Sequence, residues 1–142
     1  MAFNATRHVT LGLAAAVLSL LPVGHANAAA YPTSDYAVPY GQTYTKGKLT
    51  WYNRSVQLTG EQKSVSTSSC RLTYIAAFRS DGGPDYTRLS ERTTKPVCGK
   101  SIGISVNVPA DVVGGADFVY ICLDTTTAHL NCLTFDRPKS AV

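Results

Sequence analysis

Short stretches of alternating apolar and polar residues run along most of the chain, with a period of two that is typical of β-strands with one buried face. The alternation is clearest at 101–108 (SIGISVNV). Turn-forming residues recur at intervals of about 8–12 residues, the spacing of small all-β domains. We therefore predict an all-β fold: a small antiparallel β-sandwich of about seven strands, immunoglobulin-like at most and stapled by two disulfides.

The stretch 116–135 (ADFVYICLDTTTAHLNCLTF) predicts two apolar strands joined by a polar loop. If Cys122 faces Cys132 across an antiparallel pair, the two cysteines fix the register of the whole hairpin. Because side chains alternate between faces, one face then carries five apolar residues, namely Val119, Ile121, Leu123, Leu133 and Phe135. The loop 125–128 contains neither glycine nor asparagine, which predicts a loop longer than a tight two-residue turn.

The first 28 residues predict a signal peptide. Arg7 lies in a basic N-terminal region, and an apolar run follows at 9–24. Ala26-Asn27-Ala28 then supplies a small-x-small cleavage pattern. A proline and a glycine interrupt the run, whereas a membrane span needs about 18–20 consecutive apolar residues. We therefore expect cleavage near Ala28, a secreted protein, and no membrane association after cleavage.

All four cysteines follow this segment, and an even number in an oxidising compartment predicts disulfides. We predict the pairs Cys70–Cys98 and Cys122–Cys132, because each closes a local hairpin-sized loop. A zinc site is the alternative. It would lack any C-x-x-C pair, and His129 is the only histidine beyond the signal peptide, so we expect neither a metal nor another cofactor.

Residues 29–46 predict an extended arm, rich in tyrosine, proline and threonine, that precedes the folded domain. Pro32 and Pro39 disfavour a helix, and no period of two persists. The tyrosines of the arm are expected to pack on the sandwich, with an adhesive or glycan-stacking role as the alternative. The β-sandwich domain is then placed at 47–137 and a polar tail at 138–142.

Other features locate strands within the domain. Trp51, the only tryptophan, is expected to be a core anchor, with an exposed sugar platform as the alternative. Residues 70–79 predict a two-faced strand and residues 86–95 a polar edge strand, joined by the turn 80–85. The two aspartates of this turn leave a calcium site as an alternative to a plain turn.

Two segments, GKLTWYNRSVQLTG at 47–60 and DVVGGADFVYICLD at 111–124, carry a resemblance that covers most of the chain beyond the signal peptide. The chain resembles a group of small secreted actinobacterial proteins that are largely uncharacterised. The resemblance implies a signal peptide, a β-sandwich and no assigned catalytic residues. Tyr120 and Cys122 also resemble the tyrosine corner of immunoglobulin domains, although Trp51 precedes every cysteine and Cys122 has a nearer partner in Cys132.

The distribution of charge and the residues available for catalysis exclude several classes of function. The formal net charge is +4, but the cations are scattered, whereas nucleic-acid binding requires a basic stripe with interleaved aromatic residues. The chain has no G-x-S-x-G motif, one imidazole beyond the signal peptide and no thiol left free by the predicted pairing. Its carboxylates fall mostly in turns and tails. We predict no nucleic-acid partner, no catalytic residues and no enzymatic activity.

These exclusions favour a secreted, non-catalytic interaction module that acts outside the cell or at its surface. The candidate partner contacts are Tyr86, Arg88 and Arg92 on the edge strand, with Thr126 and His129 in the hairpin loop. The expected partner is an extracellular protein or a cell-wall glycan, bound by a monomer. Two alternatives stay open: an inhibitor that docks a rigid loop into a secreted hydrolase, and a carbohydrate-binding module that uses tyrosines as stacking platforms.

Overall fold

The computed structural model describes residues 30–139, in which eight β-strands account for all the regular secondary structure. In chain order the strands are β1 (Thr33–Tyr40), β2 (Thr43–Trp51), β3 (Ser55–Lys63), β4 (Leu72–Ser80), β5 (Tyr86–Thr93), β6 (Ser101–Pro109), β7 (Phe118–Asp124) and β8 (His129–Asp136). Residues 52–54 form the turn between β2 and β3, where the Tyr52 amide donates to the Ser55 carbonyl at 2.9 Å.

The strands form two antiparallel four-stranded sheets. The first sheet has the strand order β1-β2-β3-β6, and the second has the order β5-β4-β7-β8. This arrangement confirms the prediction of an antiparallel all-β sandwich, with eight strands in place of about seven. Over residues 30–139, no helix has the length and apolar character needed to cross a membrane.

The additional strand comes from the segment that the sequence predicts to be an arm. Residues Thr33–Tyr40 pair along their whole length with β2, so the placement of 29–46 outside the domain is wrong. The domain begins at Thr33 instead of at residue 47. Pro39 misleads the prediction because proline cannot donate to a β-ladder, yet β1 is an edge strand, where one proline is tolerated.

Side chains from both sheets meet in one apolar core. Leu49 and Trp51 of the first sheet and Ile75 and Ile121 of the second are all fully buried. Each side chain of this size contributes about 1.5–3 kcal/mol when it leaves water. Trp51 is therefore the predicted core anchor, and its indole Nε1 donates a hydrogen bond to Ser34 Oγ at 3.0 Å, which satisfies its one polar group.

Both predicted disulfides, Cys70–Cys98 and Cys122–Cys132, are formed. From Phe118 to Leu123 the β7–β8 hairpin has the register that its cysteines predict, with Cys122 directly opposite Cys132; beside the loop the register shifts by one residue, so Asp124 pairs with His129. The connecting loop 125–128 has four residues, as expected from its lack of glycine and asparagine. The cysteines thus determine the pairing of the central hairpin correctly.

Two details of this hairpin differ from expectation. Leu133 shares a face with the buried Ile121, yet 41% of its surface is exposed, because β8 is an edge strand and no further strand covers it. Cys122 pairs with the neighbouring strand of its own sheet, so the inter-sheet disulfide that accompanies the tyrosine corner of antibody domains is absent. Tyr120 and Cys122 therefore share only the local Tyr-x-Cys spacing with that motif.

A buried polar network joins the two sheets beside the apolar core. Gln62 of β3 is fully buried, and its Nε2 donates to the carbonyl oxygens of Arg71 at 3.1 Å and Lys95 at 3.0 Å. Its Oε1 accepts from the hydroxyls of Thr73 at 2.8 Å and Thr94 at 2.6 Å. Because every hydrogen-bonding atom of this amide has a partner, its burial carries little penalty.

The predicted signal peptide at 1–28 lies outside the described residues, as do residues 140–142 of the predicted tail. Pro138 and Lys139 follow β8 without joining a strand.

Candidate functional site

The outer face of the second sheet is rich in aromatic side chains. Ile75 and Ala77 of β4 are fully buried in the core, so the alternate residues Tyr74 and Phe78 point to the opposite face. Phe118 of β7 lies directly across from Phe78 and shares that face. An antiparallel sheet usually presents polar side chains on its solvated side. This sheet instead places its large rings there.

Four of these side chains form what we call the aromatic face: Phe78, Tyr86, Phe118 and Tyr120. Phe78 and Phe118 stack with ring centroids 5.1 Å apart and an interplanar angle of 7°. Tyr86 meets both rings nearly at right angles, with centroid distances of 5.4 Å to Phe78 and 5.6 Å to Phe118. Stacked and edge-to-face contacts of this kind hold the rings in one arrangement.

The aromatic face, together with Thr134, lines an open groove of about 500 Å³. Tyr86 is 62% exposed and Tyr120 is 36% exposed. Phe78 and Phe118 are half-buried. Scattered apolar residues are normal on a protein surface, whereas a contiguous patch of exposed aromatic side chains is a candidate interaction surface.

A polar group adjoins the aromatic face on β4 and β5. Glu91 Oε2 accepts a hydrogen bond from the Tyr74 hydroxyl at 2.5 Å and forms an ion pair with Arg88 Nη1 at 2.8 Å. Burial, and the nearby carboxylate of Glu91, raise the pKa of the Tyr74 hydroxyl, which favours its neutral, hydrogen-donating form. The three side chains therefore form a fixed polar rim beside the groove.

Asp124 and His129 lie at the other end of this face, beside a disulfide. His129 Nδ1 is 2.8 Å from Asp124 Oδ1, and the His129 ring centroid is 5.4 Å from that of Tyr74. Potential ligand atoms of Asp124, His129, Cys122 and Cys132 all lie within 4.8 Å of one another. The two sulfurs are bonded to each other, which leaves two side-chain ligands where a zinc site uses at least three.

The Asp124–His129 pair resembles the acid–histidine part of a catalytic triad. Asp124 occupies the Nδ1 side of the ring, which leaves Nε2 for a substrate or nucleophile. A nucleophilic site needs a hydroxyl or thiol within hydrogen-bond reach of the base. Among residues 30–139, no hydroxyl is hydrogen-bonded to His129. The pair therefore fixes the end of the β7–β8 hairpin without assembling the further groups of a triad.

The structure divides the predicted contact residues among three places. Tyr86 and Arg88 lie on the outer face of the second sheet, at the groove and its rim. Arg92 pairs with the core residue Ile75 and lines a different depression, between β5 and β6. Thr126 is exposed in the β7–β8 turn, and His129 begins β8. These five residues do not form one surface.

The aromatic residues Phe78, Phe118 and Tyr120 were not predicted as site residues. The sequence contains a feature that points to such a surface: in the predicted strand 70–79, the residues on each of the two faces include apolar ones. When both sets are apolar, one of them must face away from the core of a two-layer sandwich. Which set does so depends on how the sheets pack, and that packing is not written in the local pattern.

Comparison of the chain with models of protein families, with curated proteins and with solved structures finds no match.

Proposed function

We propose that the protein is a secreted, non-catalytic interaction module that binds an extracellular partner through its aromatic face. The observation that carries the proposal is the stacked pair of Phe78 and Phe118 on a solvent-facing sheet, with the exposed Tyr86 against it. Two disulfides in a domain of this size favour an oxidising environment outside the cell. The module acts as a monomer that presents a rigid surface.

A protein partner fits the composition of the site. Tyrosine, phenylalanine and arginine are enriched where protein interfaces are fully desolvated, and a few such residues dominate the binding energy. Here Tyr86 and Tyr120 flank the groove, and Arg88 lies at its rim. The ring contacts and the Glu91 ion pair already order these side chains in the free protein, which lowers the entropy cost of binding.

A cell-wall glycan is the other partner that the sequence leaves open. Sugar binding by aromatic residues uses exposed ring faces as flat platforms. Phe78 and Phe118 each cover one face of the other, because their rings are nearly parallel at 5.1 Å. Tyr86 and Tyr120 remain as the exposed rings. A sugar would therefore have these two rings as platforms but not the Phe78–Phe118 pair, and the glycan is kept as the second candidate partner.

The inhibitor alternative depends on the β7–β8 turn. The turn is rigid, since the Thr125 amide donates to the Ala128 carbonyl at 2.8 Å and Thr125 Oγ1 accepts from the amides of Thr127 and Ala128. Its exposed tip carries only Thr126 and Thr127. A docking loop needs an anchor side chain to fill a specificity pocket, so this turn gives the inhibitor alternative little support.

The experiment is a capture assay with the purified, disulfide-intact protein on spent medium and cell-wall fractions of the organism that makes it, read by mass spectrometry. We expect retention of one extracellular protein by the wild type and at least a tenfold loss of capture by the double variant Tyr86→Ala, Tyr120→Ala, since removal of a central aromatic contact costs about 2 kcal/mol or more. Equal capture by both proteins would contradict the proposal.

The matched control is the double variant Tyr31→Ala, Tyr40→Ala. These tyrosines are 47% and 51% exposed, but Tyr31 precedes β1 and Tyr40 ends it, on the first sheet. Capture should be unchanged in this control. Retention of wall glycan alone would assign the glycan instead, and loss of activity of a captured hydrolase would assign the inhibitor role.

A further inference from the structure

Strand β6 (Ser101–Pro109) is an edge strand with an unusually open edge. It pairs with β3 on one side, and no other described strand pairs with it on the other side. An edge strand therefore presents unpaired backbone N–H and C=O groups at alternate residues. The sequence SIGISVNVP contains no charged residue, and the β3–β6 register is continuous, without a bulge.

Two of the other edge strands, β5 and β1, carry protections that usually prevent strand addition. β5 carries Arg88, Glu91 and Arg92, and a register shift leaves Leu89 as an extra residue. β1 contains a proline, and the side chain of Asn131 in β8 donates a hydrogen bond to the carbonyl of Pro39 at 2.7 Å. On β6 the comparable features stand only at its end, where the strand closes at Pro109 and the Pro109 carbonyl accepts a hydrogen bond from Ser90 Oγ; residues 101–108 carry neither a charge nor a proline.

A groove of about 440 Å³ runs beside this open edge. It is lined by residues 92–95 at the end of β5 and by residues 102–107 of β6. Ile102, Ile104 and Val106 are half-buried and lean towards the core, while the residues between them are exposed. The groove therefore combines a free backbone edge with a row of partly accessible apolar side chains, which are the two requirements for binding an extended segment.

The charged residues that line the groove are cations. Arg92 and Lys95 are both exposed, and neither forms an ion pair with a carboxylate of residues 30–139. The nearest carboxylate on β3, Glu61, is engaged by the hydroxyls of Tyr44 and Ser101. These two hydrogen bonds, of which the one from Tyr44 has the larger effect, lower the pKa of Glu61. They also occupy its carboxylate, so that it is not free to pair with a cation of the groove.

We propose that β6 receives an extended, acidic segment of a partner protein, which adds to the first sheet as a fifth strand. Backbone hydrogen bonds to β6 would supply most of the affinity. Arg92 and Lys95 would select acidic side chains on the incoming strand. This surface is separate from the aromatic face, so it can be tested without knowing the partner of that face.

A second copy of the chain is a less suitable occupant. Antiparallel pairing of two β6 strands would also bring Arg92 and Lys95 of both copies to the shared groove region, where like charges repel. The chain as a whole is cationic, with a formal net charge of +4. An acidic strand would instead be attracted to Arg92 and Lys95.

The test uses nuclear magnetic resonance hydrogen exchange on the intact protein, with a ten-residue peptide of alternating glutamate and valine as the probe. In the free protein, every second amide of 102–108 should exchange quickly, because its N–H points away from β3. Addition of the peptide should slow exchange at those amides at least tenfold. A peptide of alternating lysine and valine should leave them unchanged.

Charge-reversal variants separate strand addition from general attraction. The double variant Arg92→Glu, Lys95→Glu should bind the acidic peptide about tenfold more weakly, as expected for two exposed charge contacts. The control Lys139→Glu lies outside the groove and should bind within about a factor of two of the wild type. Both changed positions are exposed, so folding is preserved.

Three outcomes would overturn the proposal. The acidic peptide fails to slow exchange in 102–108, or it binds while protecting amides elsewhere only, or the β6 amides are already protected in the free protein and sedimentation shows a dimer. The last outcome would assign the edge to a second copy. Because none of these readouts involves the aromatic face, a failure here leaves the proposed function intact.

Discussion

Phe78 and Phe118 lie directly opposite each other on adjacent strands and stack with an interplanar angle of 7°, on the solvent side of their sheet. Cross-strand aromatic pairs stabilise antiparallel sheets. The same pair also supplies the floor of the groove that Tyr86 and Tyr120 border. One contact thus contributes to both the stability of the sheet and the shape of the proposed binding surface.

A double-mutant cycle should detect this coupling. Phe78→Ala and Phe118→Ala should each destabilise the domain, and their combined effect should be smaller than the sum by about 0.5–1.5 kcal/mol, the usual worth of an aromatic pair. The measurement is urea unfolding of the two single variants and the double variant. Additive losses would show that the rings pack independently.

Tyr36 should make the domain sensitive to alkali. Its ring is buried, with 3% of its surface exposed, and burial raises the pKa of Tyr36 to about 12, against a smaller opposing effect of Thr45. The neutral hydroxyl is thus favoured in the folded state. The associated stability is complete below pH 10, the unfolded pKa, and about 2–3 kcal/mol of it is lost as pH rises towards 12.

The measurement is the free energy of unfolding between pH 9 and pH 12 for the wild type and for Tyr36→Phe, which has no titrating hydroxyl. The variant should lose less stability across this range. Tyr40→Phe, at an exposed position, is the control and should follow the wild type. Equal pH dependence in all three proteins would show that Tyr36 titrates alike in both states.

The two disulfides should contribute unequally. Cys70–Cys98 spans 28 residues and Cys122–Cys132 spans 10. On the chain-entropy account, removal of the disulfide that closes the longer loop lowers the free energy of unfolding by about 4 kcal/mol. Removal of the disulfide that closes the shorter loop lowers it by about 3 kcal/mol. Paired cysteine-to-alanine variants, unfolded in urea, test the order. A larger loss from the 122–132 pair would indicate that native packing around the buried Cys122 outweighs loop closure.

A pair of glycines sets the spacing of β2 and β3. Gly47 lies opposite Gly60, and a Cβ at residue 60 would lie 2.1 Å from the carbonyl oxygen of Lys46. Gly60→Ala should therefore destabilise the domain by about 1–3 kcal/mol through overpacking. Gly103→Ala is the matched control, because the nearest atom to its Cβ is 3.9 Å away. Thermal unfolding that ranks the two variants equally would refute the close approach.

Much of the fold follows from local features of the sequence. Cys122 and Cys132 fix the hairpin register because two cysteines can bond only when they face each other. Trp51 is correctly predicted in the core because removal of so large an apolar surface from water is strongly favourable. The segment around Pro39 is harder to interpret, since proline signals a loop unless the strand is at an edge, and edges are defined only by the complete sheet.

The candidate site is less accessible from sequence. Tyr86 is predicted as a contact because it lies on a polar edge strand, and it does border the groove. Phe78 is missed because apolar residues are assigned to the core by default. The register fixed by the two cysteines does place Phe118 and Tyr120 on the disulfide face, away from the apolar face, but it does not show that the rings form a groove. Only the packing of the two sheets reveals that Ile75 faces inward and Phe78 outward. Site residues of this kind can be identified only once the layers are assembled.

The most direct test of the aromatic face as the binding surface is a hydrogen-exchange footprint of the protein in complex with the partner that the wild type captures. We expect slower exchange or shifted resonances on β4, β5 and β7 around Phe78, Tyr86 and Phe118, with the outer side of β1 and β2 unchanged. A footprint confined to the first sheet, or to the β7–β8 turn at 125–128, would contradict the claim that the aromatic face is the binding surface.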